Sequence, residues 1–142
     1  MSTAPTITVR TPAGAISLTP EQHAEKIRRD VERFVRGERP DFSRYETPTG
    51  TAFQRKCWAA CRSIPYGQTR TYAWLAKKAG SPNAARAAGQ AMRRNPLPVV
   101  VPCHRVVGSS GWIGGFAGDS RPTGASVDLK RWLLGLEQAQ TA

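Results

Sequence analysis

The middle of this 142-residue chain contains no acid. Between Glu46 and Asp119 there is neither aspartate nor glutamate. The same interval holds Arg55, Lys56, Arg62, Arg70, Lys77, Lys78, Arg86, Arg93, Arg94 and Arg105. A solvated basic face is the plain explanation, but complete segregation of the acids to the two ends argues for a polyanionic partner. The net charge is +11, from 21 basic and 10 acidic residues. Cysteine is also scarce. Cys57, Cys61 and Cys103 are too few, and odd in number, for a disulfide framework. Cys57 and Cys61 lie four apart and would share a helix face; with Cys103 and His104 they could offer zinc ligands. The paired-ligand loops of structural zinc are missing, so buried or half-buried thiols are expected and no metal. No apolar run approaches the roughly 18 residues that cross a bilayer. The opening "MSTAPTITVRTPAG" lacks the basic-then-apolar order of a secretory signal. The chain therefore reads as soluble and cytoplasmic, with no membrane partner. Its length suits one domain, or one domain with a small appendage. There is no internal repeat and no low-complexity tract.

Residues 7–18, "ITVRTPAGAISL", alternate weakly around "TPAG" and predict a hairpin. A helix is expected over 21–36, opened by Thr19 or Pro20, with Ile27, Val31, Phe34 and Val35 as its apolar stripe and Gly37 as its end. Residues 38–50 read as a polar linker. A second helix begins near Thr51, a plausible N-cap, and carries Phe53, Cys57, Trp58, Cys61 and Ile64 at helical spacing. "IPYGQT" breaks it. Short helices over 71–79 and 83–94, joined by the turn "GSPN", suggest a helix-turn-helix. "NPLP" ends the second, and the valine run 99–101 predicts a short buried strand. The loop "GSSGWIGGFAG" at 108–118 lacks P-loop order, so its glycines suit close backbone approach to a ligand. A final amphipathic helix is expected over 127–138, with Leu129, Trp132, Leu133 and Leu136 inward.

The stretch "PVVVPCHRVVG" at 98–108 sets a thiol beside an imidazole. A buried cysteine is ordinarily a small hydrophobe, and a buried histidine a satisfied core group. Thiolate is the reactive form, and a free thiol is mostly protonated at neutral pH. A neighbouring imidazole can take that proton, directly or through water, and a carboxylate can orient the imidazole. Three acids follow Cys103: Asp119, Asp128 and Glu137. Glu137 is favoured because it sits on a regular helix, but the chemistry alone leaves the choice open.

"PCHRV" at 102–106, preceded by "RNPLPVVV" and followed by "GGFAG", resembles the active-site signature of the O6-alkylguanine-DNA alkyltransferases, the methylated-DNA–protein-cysteine methyltransferases. Four further blocks resemble that family in the same order: "GTAFQRKCW" at 50–58, "IPYGQTRTY" at 64–72, "SPNAARAAGQAM" at 81–92 and "LKRWLLGLE" at 129–137. The resemblance covers roughly residues 30–137. It implies an α+β, mainly helical fold. The expected parts are a shortened N-terminal hairpin and helix (1–48) and a winged-helix-like DNA-binding and alkyl-acceptor domain (49–142). It also implies a single-turnover enzyme without cofactor that acts as a monomer on double-stranded DNA containing O6-alkylguanine. The alkylated base would be flipped out of the stack, because its O6 substituent cannot be reached inside it.

The resemblance further implies residue roles. Cys103 would accept the alkyl group, His104 would be its water-mediated base, and Glu137 the histidine's partner. Asn95 would order the turn that holds the site, and Tyr72 would donate to the guanine ring. Met92, Pro98, Val106, Trp112, Ile113, Phe116 and Ala117 would line the pocket. Arg86 would fill the gap left by the flipped base, with Thr71, Ala84, Ala85, Arg93 and Ser109 also on the DNA, and Ala87 and Ala88 small enough to let the helix approach closely. Three features depart from the family pattern: much of the N-terminal sheet is missing, the segment "DSRPTGASVD" is longer, and Phe116 stands where many members carry tyrosine. Two other readings compete. One is a non-catalytic sensor of alkylated DNA, though such relatives lack the acceptor cysteine. The other is a helix-turn-helix transcriptional regulator, which would not need the thiol–imidazole pair.

Overall fold

A computed structural model describes residues 5–109 and 125–141. The fold is α+β and mainly helical, as expected. Strands β1 (Ile7–Thr11) and β2 (Gly14–Leu18) form an antiparallel hairpin, with Ile7 opposite Leu18 and Val9 opposite Ile16. These four side chains are buried and their neighbours exposed, the period-2 pattern of a sheet with one wet face.

Helix α1 spans Ala24–Val35 and buries Ile27, Val31 and Phe34. It starts three residues later than the sequence suggests. His23 sits in the left-handed region at φ 59°, which breaks the helical geometry before it. Glu21 is not a first-turn residue of the helix; its carboxylate accepts from the Thr49 hydroxyl. Asp30, also buried on α1, accepts from the Tyr45 hydroxyl at 2.6 Å and from Arg44, tying the helix to the linker.

Helix α2 (Ala52–Arg62) opens on a capping box. The Gln54 amide N–H donates to the Thr51 hydroxyl at 3.1 Å, and the Thr51 N–H donates to the Gln54 side chain at 3.0 Å. Its inward face carries Cys57, Trp58, Ala60 and Cys61. Helix α3 (Tyr72–Lys78) is capped by Thr71, whose hydroxyl accepts from the Trp74 N–H. Helix α4 (Ala85–Arg93) packs on both α2 and α3. Trp58 Nε1 donates to the Ala91 carbonyl at 2.9 Å and fixes α2 against α4. The expected helix-turn-helix is thus the α3–α4 pair.

The valines at 99–101 are buried, but they do not form the expected strand. The Asn95 side chain and Leu97 bond this segment locally instead: Asn95 Nδ2 donates to the Val101 carbonyl at 2.8 Å, the Leu97 N–H donates to Asn95 Oδ1 at 2.9 Å, and the Val101 N–H donates to the Leu97 carbonyl at 2.9 Å. Val99 is driven to φ 77°, a position that strains a β-branched residue by about 1–3 kcal/mol. A turn of 3₁₀ helix (Cys103–Arg105) follows and leads into β4 (Val106–Val107). This strand pairs in parallel with β3 (Arg70–Thr71). Helix α5 runs from Ala125 to Thr141, longer than expected at both ends, and lies against β2 and the 3₁₀ turn. Leu129 and Leu133 are buried as expected, while Trp132 and Leu136 are only half-buried. Among the described residues no helix is long and apolar enough to cross a membrane.

Candidate active site

Five elements meet around Cys103 and His104. The Asn95 turn sets the loop before it, the 3₁₀ turn carries it, β3 and α3 bring Tyr72, and α5 brings Glu137 and Lys130. Those last two residues lie seven apart, about 10 Å along a helix axis, so one face of α5 spans the whole site.

Cys103 is 5 % exposed, and burial pushes its thiol pKa upward. The Asn95 amide, the Lys130 ammonium and the backbone N–H groups of Cys103 and His104 act against that rise. His104 is fully buried, and its Nε2 lies 2.5 Å from Glu137 Oε2. Burial lowers its pKa, outweighing the upward pull of Glu137, so the ring is neutral at neutral pH. With Nε2–H donated to the carboxylate, Nδ1 is the basic nitrogen. Nδ1 is buried and meets no hydrogen-bond partner among the described residues.

Glu137 is held from three sides. The Gly67 N–H donates to Oε1 at 2.7 Å, and Arg105 Nε donates to both oxygens at 2.9 and 3.0 Å. Burial works to raise its pKa, but His104, Arg105 and Gly67 together hold it below the ordinary carboxylate range. Gly67 is required there: its φ is 83°, and a Cβ would stand 2.8 Å from the Thr141 side chain. Arg105 is itself anchored by donating to the Ile64 carbonyl at 2.9 Å.

Lys130 is the residue that sequence reading missed. It is fully buried, and Nζ donates to the Val106 carbonyl at 2.6 Å and to the Tyr72 hydroxyl at 3.3 Å. Burial brings its pKa down to about 8. Burial likewise raises the Tyr72 hydroxyl to about 12, so it stays protonated and able to donate. A lysine on an amphipathic helix ordinarily faces water. Its spacing from Leu133 and Glu137, three and seven residues, was the available signal.

The structure brings Cys103, His104, Glu137, Asn95 and Tyr72 together. Of the acids left open, Glu137 meets His104, Asp128 is exposed, and Asp119 lies outside the described residues. Met92, Pro98 and Val106 are buried near the same loop. Trp112, Ile113, Phe116 and Ala117, and most of the long 119–128 segment, lie outside the described residues. On α4, Arg86 and Ala87 are exposed and Ala84 and Ala85 half-buried at its start. Ala88 instead faces the core with Ala91 and Met92, because it falls on the inward stripe of the helix. Arg93 is half-buried and Ser109 exposed, while the Thr71 hydroxyl is engaged as the α3 cap. Cys57 and Cys61 are buried on α2.

Comparison with known proteins places this arrangement. The profile of the 6-O-methylguanine DNA methyltransferase DNA-binding domain matches residues 52–139. A methylated-DNA–protein-cysteine methyltransferase of Methanosarcina acetivorans is 42 % identical over 117 residues, covering 82 % of this chain and 70 % of that protein. The constitutive enzyme of that name from Bacillus subtilis is 42 % identical over 113 residues, or 80 % of this chain and 65 % of that protein. The chain thus spans about two thirds of the length of these relatives. The crystal structure of Mycobacterium tuberculosis OGT in complex with DNA superposes with a TM-score of 0.72 at 32 % identity, covering 94 % of this chain and 92 % of that one. On the extent of the profile match and the identity to these relatives, the chain belongs to the 6-O-methylguanine DNA methyltransferase family.

Proposed function

We propose that the chain repairs DNA by moving an alkyl group from O6-alkylguanine in a duplex to Cys103, once per molecule, with the target nucleotide flipped out of the stack. The observation that carries this reading is the chain Cys103–His104–Glu137, whose one unsatisfied end is the basic Nδ1 of a neutral imidazole. In the reaction the thiol proton passes through a water to Nδ1. The sulfur attacks the alkyl carbon, an S–C bond forms, and the C–O6 bond breaks with its electron pair leaving on the guanine. Tyr72 supplies the proton that the guanine ring takes up, and the proton held on Nδ1 is returned through water to the Tyr72 oxygen, so that both side chains end neutral. An alkyl thioether is far more stable than the C–O6 bond it replaces and is not readily hydrolysed, so the acceptor is consumed.

The α3–α4 pair supplies the DNA contact. Arg86 stands exposed at the start of α4 and fills the space left by the flipped base. The acid-free segment supplies phosphate contacts. Binding to duplex should therefore fall with salt at a log–log slope near −4 to −5, for about four to six neutralised phosphates. The relatives' names and the DNA complex are consistent with this reading, and Cys103 favours it over a sensor without an acceptor.

Intact-mass measurement after incubation with an O6-methylguanine duplex tests it. The expected result is the gain of one methyl group, mapped to Cys103, and no gain in Cys103→Ser, which still binds the lesion. An unmodified wild-type chain, or a methyl group on Cys57 or Cys61, would overturn it.

A further inference from the structure

Behind the reactive loop lies a second cavity, of about 560 Å³, that the alkyl transfer does not use. It is lined by Phe34 of α1, the linker, α2, Tyr66, Val99, Val100, Pro102 and Arg105, and by no residue of α3 or α4. Three guanidinium groups face it: Arg39, Arg62 and Arg105. Arg105 is shared with Glu137. Neither Arg39 nor Arg62 has a carboxylate partner among the described residues. Arg62 is half-buried, and its guanidinium donates only to neutral acceptors, the Phe42 carbonyl at 2.8 Å and the Thr47 hydroxyl at 3.2 Å. Arg39 stacks over the Tyr66 ring at 4.2 Å. The one acid in the lining, Asp41, is engaged by the Ser43 N–H at 2.9 Å and hydroxyl at 2.6 Å. The Tyr66 hydroxyl is buried and without a hydrogen-bond partner among the described residues.

A partly buried cation without a counter-ion, as Arg62 is, is costly, and so is an unpartnered buried hydroxyl. One bound anion would relieve both. Guanidinium forks suit phosphate and carboxylate oxygens. The remaining walls are largely apolar, with Phe34, Phe42 and Tyr66 packed edge to face or tilted at 6.0–6.2 Å beside prolines, valines and an alanine. The volume falls in the range of small-molecule sites, about 300–1,000 Å³, rather than of a macromolecular groove. We propose that this cavity is a binding site for a small phosphomonoester that carries a planar aromatic ring, of the class of a nucleoside monophosphate: its phosphate on Arg39 and Arg62, the face of its ring against the aromatic side chains.

The probe is adenosine 5′-monophosphate, titrated calorimetrically at low ionic strength into the intact chain already saturated with undamaged duplex. The duplex occupies the basic face of α3–α4, so residual binding reports the other side of the molecule. One-to-one binding is expected, with ring resonances of Phe34, Phe42 and Tyr66 shifting in parallel NMR spectra. Arg39→Gln, an exposed position whose loss spares the core, should weaken binding at least tenfold at an unchanged melting temperature. Arg94→Gln, exposed at the end of α4, should leave it unchanged. Inorganic phosphate should bind at least fivefold more weakly. The proposal is overturned by an absence of saturable binding, by affinity indifferent to Arg39→Gln, by loss of binding when duplex is present, or by inorganic phosphate binding as tightly as the nucleotide.

Discussion

Among the described residues two carboxylates are buried, Asp30 at 2 % exposure and Glu137 at 1 %. Each is gripped by arginine. Asp30, in the hairpin-and-helix part of the chain, accepts from Tyr45, Arg44 and Arg33. Every contact runs from a donor to the carboxylate, and the network continues only from Arg33 to Glu38 and Arg36, exposed ion pairs at the surface. Burial works to raise the Asp30 pKa, but the bonds from Tyr45 and Arg44 outweigh it and hold the group ionised. Glu137 is equally well held by Arg105 and Gly67, yet it also reaches His104, whose second nitrogen is left open beside a thiol. Burial and pairing with arginine therefore do not mark a functional carboxylate. What distinguishes Glu137 is that its network ends on a basic atom with nothing attached.

The sharpest way to break that distinction is Glu137→Gln. The shape is kept, but the amide no longer favours the imidazolium. Single-turnover transfer, followed by quenched intact mass, should slow by about 10²-fold or more, the ordinary scale for a lost acid–base function. A rate within threefold of wild type would place Glu137 with Asp30 as a structural group. Asp30→Asn is the complementary change. It should leave the transfer rate of the folded protein within about twofold, and lower stability in denaturant melts by about 1–3 kcal/mol, since buried donors lose a charged acceptor. A large loss of rate at full stability would show that the two networks are coupled.

Acidification separates the regions by pH window. His104 has its folded pKa lowered from 6.5, so its neutral burial contributes stability that is complete above 6.5 and lost as the pH falls below it. Both carboxylates are also lowered, from 4.5 for Glu137 and 3.8 for Asp30, and their contributions go only as the pH falls below those values. The melting midpoint should thus drop between pH 6.5 and 5 in wild type and in Asp30→Asn, but much less in His104→Asn. A wild-type midpoint flat across that interval would mean that the imidazole is not held neutral.

The smallest expected effect concerns Lys130. Its ammonium opposes the rise in the Cys103 pKa, so Lys130→Met should move the pH of half-maximal transfer upward, by about half to one pH unit. An unmoved profile with a uniformly slower rate would make Lys130 a packing residue only.

Much of this was legible in the residues. The hairpin, the capped start of α2, the helix-turn-helix and the apolar stripe of α1 follow from period, caps and turn chemistry, which act over a few neighbours. The misreadings share a cause. The valine run looked like a strand because strand propensity is local, whereas Asn95 supplies by side chain the hydrogen bonds that a neighbouring strand would have given. Lys130 was not singled out because its partners, Val106 and Tyr72, are 24 and 58 residues away in the chain.

By itself, then, the sequence determined which groups were available: a thiol next to an imidazole, a cationic middle without acids, and two carboxylates, Asp128 and Glu137, on the final helix. Those are matters of composition and of short-range order. Only the tertiary structure decided how they act. It set Glu137 rather than Asp128 against His104, turned the imidazole so that its other nitrogen is open, and buried Lys130 behind the thiol. Each of these depends on where α5 lies relative to the 3₁₀ turn and α3, and on how much water is excluded there. Burial is what makes His104 neutral and lowers Lys130, and burial belongs to the packed whole, not to any stretch of the chain.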